Sequence, residues 1–420
     1  MTKNIYYSIL LFLFFIFIYY IGSFNRIPFG DCVGFVLLVE KGDFMNTATA
    51  MNHFLYINTA IIFKNITHLN AIEANRLLVI LSAAATVVIV YLTIKILVNK
   101  NWIAIVTSFV FGFSYSFWKN AEIIEVYSYN SLWISLFFFC MIKSFQSKKQ
   151  AHIILSGVFV GISLWLHIQN ILLVPAFLLF LFYFKYEKKT VYLSLVFFIG
   201  LFASLFILNY FQGLPFNSPY SSEQKDWVKD SLKKTTAQYV LDLGKSVIYL
   251  FYNFNLFTFF GFTGMILLYQ SKRKMFFVFF TASLCVYGFS TFYAVSDNYV
   301  FFIPFNIIFA LSVGYGLSAA KYSFMKKISW VCLLIPAMYY FIFKTVLLTE
   351  KGKEFNNFKN YKGGLEYYML PWMSNNVGIV EFTINKKTAP EQINWMTVSA
   401  EEYIHLLKSK GYTNEQIRNF

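Results

Sequence analysis

Two carboxylates and two aromatic rings recur at helical spacing in "FWKNAEIIEVYSYN", residues 117–130, between two long apolar runs. If residues 118–129 are helical, Trp118, Glu122, Glu125 and Tyr129 are 4, 3 and 4 residues apart and share one face. Such a face suits a sugar or another polyhydroxylated ligand, because carboxylates accept hydroxyl hydrogen bonds and rings cover the apolar side of a pyranose. A Trp/Tyr interfacial belt with solvated glutamates at helix ends accounts for the same residues equally well. Further polar groups stand at comparable places: Asp31 in "PFGDCVGF", His53 in "MNHFLY", His167 in "SLWLHIQN", and Asp297 with Tyr299 in "VSDNYVFFIP". Singly, a histidine at a helix end is an ordinary interface residue and an aspartate after glycine an ordinary turn residue.

The elements that must position these groups are membrane spans. Of 420 residues 58% are hydrophobic and 13% charged, against about 25% charged in a soluble chain. The sequence reads as an all-α polytopic membrane protein. Apolar runs of spanning length occur near 5–22, 77–97, 101–118, 127–145, 151–167, 170–184, 190–210, 245–270, 275–295, 299–319 and 328–348, which predicts about eleven transmembrane helices. The run at 245–270 is long enough to hide a re-entrant break. The first run follows "MTKN" without a small-residue cleavage site and reads as a retained signal anchor.

Lysines orient the chain. With the N-terminus cytoplasmic, the short inner connections carry Lys95 and Lys100, then Lys143, Lys148 and Lys149, then Lys185, Lys188 and Lys189, then Lys272, Arg273 and Lys274, then Lys321, Lys326 and Lys327. Glu187 is the only acid among them. This is the positive-inside pattern over the whole topology. Topology and attraction to anionic inner-leaflet lipid account for part of the net charge of +15, and no basic stretch forms a groove-reading helix, so nucleic acid is not indicated. Cys32, Cys140, Cys285 and Cys332 lack CxxC spacing, which indicates neither a disulfide framework nor a zinc site.

This topology sends Asp31, His53, Glu122, Glu125, His167, Asp297 and Tyr299 to the outer face, where ionisable groups near the bilayer mark a substrate site. The transmembrane module is expected over 1–348, with long outer loops at 23–76 and 211–244, and a small extracytoplasmic α/β domain over 349–420. "VGFVLLVE" and "HFLYINTAIIF" in the first loop read as interfacial helices on the bilayer, with core packing as the alternative. In the C-terminal piece "VGIVEFTI", 377–384, is strand-like, and Ser399 with Glu402 forms a capping box for a helix that closes near Gly411. Lys225, Lys229, Lys233 and Lys234 in the second loop read as one solvated helix face.

Several short motifs keep a common order and side: "GD" after the first run, His53-x-Leu55-Tyr56, "FW" and "EVY" at the junction of the third and fourth runs, Gly157, Gly161 and His167 in the fifth, and Asp297, Tyr299 and Pro304 opening the tenth. Over roughly residues 25–320 the chain resembles the bacterial domain-of-unknown-function family related to the vertebrate transmembrane protein O-mannosyltransferase, within the GT-C superfamily of membrane glycosyltransferases. It departs from that family in "GDCVGF", where members often carry "GDSGE", and in "NHFLY", where they carry the richer "HPxGYPLY". The resemblance implies an inverting transferase in the bacterial inner membrane, its C-terminus extracytoplasmic, that moves a sugar from a polyprenyl-phosphate donor to a protein, lipid or glycan hydroxyl. It implies Asp31 as catalytic base. Glu125 and Tyr127 of "EVY", with Trp118, Glu122, His53, His167, Asp297 and Tyr299, would contact donor or acceptor. A divalent cation held by Asp31 with Glu122 or Glu125 stays open.

Two other classes remain. A flippase for lipid-linked saccharide predicts ionisable residues deep in the spans and paired broken helices, whereas here the acids stand at the outer ends. A non-catalytic membrane subunit would tolerate loss of Asp31, which a base would not.

Overall fold

The computed structural model describes residues 2–49, 52–147, 149–216, 218–219, 227–295, 298–319 and 323–420. Among these residues every regular element is helical. The chain opens with α1 (Thr2–Gly22), followed on one side of the bundle by α2 (Cys32–Lys41) and α3 (Phe54–Thr67). The bundle continues through α4 (Ala71–Val98), α5 (Asn101–Gly112), α6 (Tyr115–Ala121), α7 (Val126–Ser147), α8 (Gln150–Leu164), α9 (Val174–Tyr183) and α10 (Lys188–Phe211). After α11 (Trp227–Leu232) come α12 (Thr236–Phe254), α13 (Phe257–Ser271), α14 (Arg273–Phe292), α15 (Ile303–Leu317), α16 (Ser323–Ile328) and α17 (Ile335–Leu348). The C-terminal segment adds α18 (Glu350–Phe358), α19 (Gly364–Met369), α20 (Ile379–Ile384), α21 (Asn394–Ser409) and α22 (Asn414–Ile417).

The protein is a multi-pass membrane protein. Six helical stretches are long and apolar enough to cross a bilayer: α1, α4, α10, α14, Asn298–Leu317 and Met325–Leu348. The bent pairs α6–α7 and α12–α13 raise the number to 8. Three shorter apolar stretches, α5, α8 and Ile168–Tyr183, occupy the remaining apolar runs, so a count of eleven spans requires these to cross as well. The Asn298–Leu317 stretch is 94% buried and forms the hub, while α1 is 17% buried and turns most of its surface to lipid.

Where α13 meets the hub, the backbones touch. A Cβ on Gly264 would lie 1.8 Å from the Ser312 carbonyl oxygen, and one on Gly316 would lie 1.9 Å from that of Phe260. Small residues permit this approach, which supplies the dispersion contacts that hold helices together in lipid. Gly264→Val is therefore expected to force α13 from α15 at a cost of at least about 2–3 kcal/mol. Gly288→Ala, where an added Cβ meets nothing within 4 Å, should be neutral or slightly stabilising; thermal inactivation in detergent compares the two.

Three sequence expectations change and one is met. The stretch 118–129 is not one helix: α6 and α7 are bent by 118° across residues 122–125, so Trp118 and Glu122 share a face with each other but not with Glu125 and Tyr129. The anticipated break in 245–270 is real, a 100° bend between α12 and α13. Next, α2 and α3 take the packing alternative, burying Val33, Val36, Tyr56, Ile57 and Ala60 in a second core shared with Ile379, Phe382, Tyr403 and Leu407. Finally, the C-terminal piece is helical, not α/β. Residues 379–384 form α20, since a six-residue apolar run does not by its pattern separate strand from buried helix. α21 begins at Asn394, so Ser399 lies inside it and bonds back to the Trp395 carbonyl. The helix does close before Gly411, at φ +90°.

Hydrogen bonds fasten this C-terminal piece to the first loop. Ile27 N–H donates to the Phe420 carbonyl (2.6 Å), Ile379 N–H to that of Ile27 (3.0 Å), and Met373 N–H to that of Gly22 (2.8 Å). Arg26–Glu381, Lys41–Glu402 and Lys410–Glu40 ion pairs surround them.

Candidate active site

Gly30 has φ +118°, a region that glycine enters without steric cost, and it turns the chain into α2 with Asp31 at the N-cap. Asp31 is exposed, and its side chain makes no capping hydrogen bond to the helix. A Cβ on Gly30 would stand 3.7 Å from Glu125 Oε1, so the Glu125 carboxylate lies against the turn that carries Asp31. Cys32 feels both acids: its thiol is pushed well up by burial, then by the charges of Glu125 and Asp31. The Tyr56 hydroxyl is raised by burial, then by Glu125 and Cys32, and donates to Asn75 Oδ1 at 2.9 Å.

The histidines meet each other and pack on rings of the two segments that carry these acids. Their ring centroids are 5.3 Å apart; Phe35 of α2 lies 5.7 Å from His53, and Tyr127 and Phe301 lie 5.7 and 5.6 Å from His167. His53 is held at φ 35°, a left-handed backbone that a non-glycine residue adopts at a cost typical of functional sites. The Leu166 carbonyl 2.9 Å from its Nδ1 can only accept, so Nδ1 of His53 carries the proton. At His167 the Gln169 N–H donates to Nδ1 at 3.2 Å, so in the neutral ring Nε2 carries it. The pair thus presents one bare ring nitrogen, on His53, and one N–H, on His167.

Burial lowers the His53 pKa, against a smaller opposing effect of the Leu166 carbonyl, and burial and then His53 push His167 down to about 3. Both rings are neutral at pH 7. Because the folded His167 pKa lies below the unfolded value, its contribution to stability is complete above about pH 6.5 and falls as pH drops toward 3. His167→Gln is expected to remove a loss on the order of 2 kcal/mol at pH 4.5, read as a flatter Tm against pH between 6.5 and 4.5.

Other sequence candidates sit elsewhere. Glu122 is 1% exposed, and its two oxygens accept from Trp118 Nε1 (2.5 Å) and Met373 N–H (3.1 Å). Trp118 packs at a tilt against Trp372 of the C-terminal segment, with ring centroids 5.8 Å apart. Tyr299, in the 298–302 turn that also carries Phe301, lies 5.9 Å from Tyr115 on the neighbouring α6. Asp297 lies outside the described residues, as does Lys225. Among the described residues no set of three His, Cys, Asp or Glu side chains converges to hold a metal ion. A cavity of about 20 Å³ opens beside His53, walled by Asn52, Trp165, Leu166 and Ile168.

Sequence reasoning passed over the amides that set this geometry. Gln169 Nε2 donates to the Phe301 carbonyl (2.7 Å), and Asn170 Nδ2 to Asn130 Oδ1 (2.6 Å) and the Ser163 carbonyl (2.8 Å). Their signal was present in "HIQN": buried amides inside an apolar run need partners. Lys119 was also missed. It is 2% exposed and donates to the Tyr367 carbonyl and to Tyr115 Oη (3.3 Å), over the Tyr367 ring.

The fold is that of the GT-C membrane glycosyltransferases. The chain superposes on ArnT from Cupriavidus metallidurans bound to undecaprenyl phosphate with a TM-score of 0.62 at 11% identity, over 98% of this chain and 76% of that one. The apo form of ArnT gives 0.61 at 12% identity with the same coverage. The Archaeoglobus fulgidus oligosaccharyltransferase in complex with Zn and sulfate gives 0.52 at 12% identity, over 91% of this chain and 59% of that one. More particularly, residues 53–190 match the family model of the protein O-mannosyl-transferase TMEM260 N-terminal domain. That stretch contains His53, Glu125, Tyr127 and His167. No curated protein matches the sequence.

Proposed function

We propose that the protein transfers a sugar from a polyprenyl-phosphate carrier to an acceptor hydroxyl, with inversion, at the end of the bundle that carries Asp31. The observation that carries this reading is the Glu125 carboxylate against the Gly30–Asp31 turn, with the paired histidines packed on rings of the same two segments, in a fold shared with ArnT bound to undecaprenyl phosphate. In the reaction the acceptor oxygen attacks the anomeric carbon and its proton passes to Asp31. The bond from that carbon to the phosphate oxygen breaks, and the electron pair leaves on the lipid phosphate. One displacement without a covalent enzyme intermediate inverts the centre, by the logic that separates inverting from retaining glycosidases. Glu125 orients the acceptor or the donor sugar. The neutral histidines bind sugar hydroxyls, one as acceptor and one as donor, in preference to phosphate charge.

In this reading residues 1–348 form the catalytic membrane module and 349–420 a helical roof over its first loop. The lysine distribution supports a site on the extracytoplasmic side, in this reading of a bacterial inner membrane, and the match to an O-mannosyl-transferase family makes mannose the first donor sugar to offer and a serine- or threonine-containing peptide the first acceptor. Purified protein in lipid, given defined polyprenyl-phosphate sugars and such acceptors with and without a divalent cation, tests the proposal. Glycosylated product of inverted configuration is expected. Absence of turnover over a broad panel, with lipid-linked sugar carried across the bilayer instead, would overturn it in favour of a flippase.

A further inference from the structure

α12 has two unlike sides. At 3.6 residues per turn, Val240, Leu241, Leu243, Val247, Ile248 and Phe251 fall in one arc of roughly 160°, and all six are exposed. The opposite side is polar and engaged: Ser246 Oγ accepts from Tyr287 Oη (3.0 Å), Asn253 Oδ1 accepts from Ser116 N–H (2.8 Å), and the Tyr249 ring packs 5.9 Å from Phe302. An apolar outward face with a polar inward one is the reverse of a helix facing water. Lipid is the environment that fits it.

The bend decides how the helix meets that lipid. α12 stands at 100° to α13, and α13 runs from the bend toward the basic Lys272–Lys274 connection. With α13 across the bilayer, α12 lies along its surface. Charge agrees: Lys234 pairs with Asp242 (2.6 Å) and donates to the Phe292 carbonyl (2.8 Å), and Lys245 stands 3.6 Å from Asp242. An upright α12 would carry all three into hydrocarbon, at a cost of several kcal/mol. The apolar arc is also continuous with the lipid-facing surface of α13, where exposed Phe259 lies 6.0 Å from Phe251.

We propose that α12 lies in the plane of the membrane, its apolar arc immersed in the leaflet on the site's side, and that it fixes the depth of the site. Through Tyr249 and Asn253 the helix reaches the 298–302 turn and α6, so its seat on lipid sets the height of both. The bilayer itself is the partner. This inference is independent of any catalytic activity.

Nitroxide labels on Val240→Cys, Val247→Cys and Phe251→Cys, in vesicles of phosphatidylcholine and phosphatidylglycerol, test it by the relative access of oxygen and a water-soluble nickel chelate. An in-plane helix gives three nearly equal depths, with a label on Gln238→Cys reached by nickel. A spanning helix gives depths that advance by about 1.5 Å per residue, roughly 16 Å over the series, and that result would overturn the proposal. Equal depths in water would also overturn it. Should a label unfold the protein, Ala237→Cys, Gly244→Cys and Ile248→Cys sample the same arc over the same length.

Discussion

Asp31→Asn is expected to lower the rate of sugar transfer by about 10²–10⁴-fold, the range for loss of a general base, with nearly unchanged binding of the lipid-linked donor. The amide keeps the size and hydrogen-bonding reach of the carboxylate but cannot take a proton at neutral pH. Asp31 is exposed at the N-cap, a position that suits Asn as well as Asp, so the substitution should shift Tm little. This separation of rate from stability is what distinguishes a base from an assembly residue. Glu125→Gln, beside the same turn, should raise KM as well as lower kcat, since an orienting carboxylate acts on bound substrate before it acts on the transition state. Equal turnover by native and Asp31→Asn protein would remove Asp31 from the chemistry.

The membrane architecture could be read from the sequence because each apolar run carries its own signal: length, flanking lysines and the scarcity of charge between them. The same logic found "GD" and the two histidines, whose types and order survive any error in span boundaries. It failed where the chain's path depends on distant contacts. The break after Ala121 cannot be seen in "KNAEIIEV", a fair helical sequence, because what bends it is the bonding of Glu122 to Met373, Ser23 and Phe24, segments far away in the chain. α20 was unreadable for a similar reason. A run such as "IVEFTI" suits strand or buried helix alike, and its fate is set by the surface that α21 and the Phe29 loop offer it. Gln169 and Asn170 were visible as polar residues in an apolar run, but only the packed structure pairs them with Phe301 and Asn130.

Glu122→Ala is expected to destabilise the protein by about 2–4 kcal/mol, chiefly by loosening the C-terminal segment. The Trp118 N–H loses its acceptor in a site 1% exposed, at about 1–3 kcal/mol for a buried unsatisfied donor, and Met373 N–H loses the weaker of its two acceptors, keeping the Gly22 carbonyl at 2.8 Å. A void opens as well, since the carboxylate fills the space beside Gly22, where an added Cβ would stand 2.1 Å from Glu122 Oε1. Gln at this position still offers one oxygen, so its cost should be about half. The ends of α1 and α6 and the strap at Met373 all meet here, and Lys119, Tyr115 and Tyr252 hold the three carbonyls just before that strap, at Tyr367, Tyr368 and Met369. Release of the segment beyond α19 should therefore appear as proteolytic cleavage near residues 359–376 at temperatures where the native chain resists. Glu125 lies three residues from Glu122 along the same bend, so transfer activity in Glu122→Ala should fall with the loosened fraction and return on cooling. Activity lost at every temperature with the segment still protected would instead make Glu122 a substrate contact.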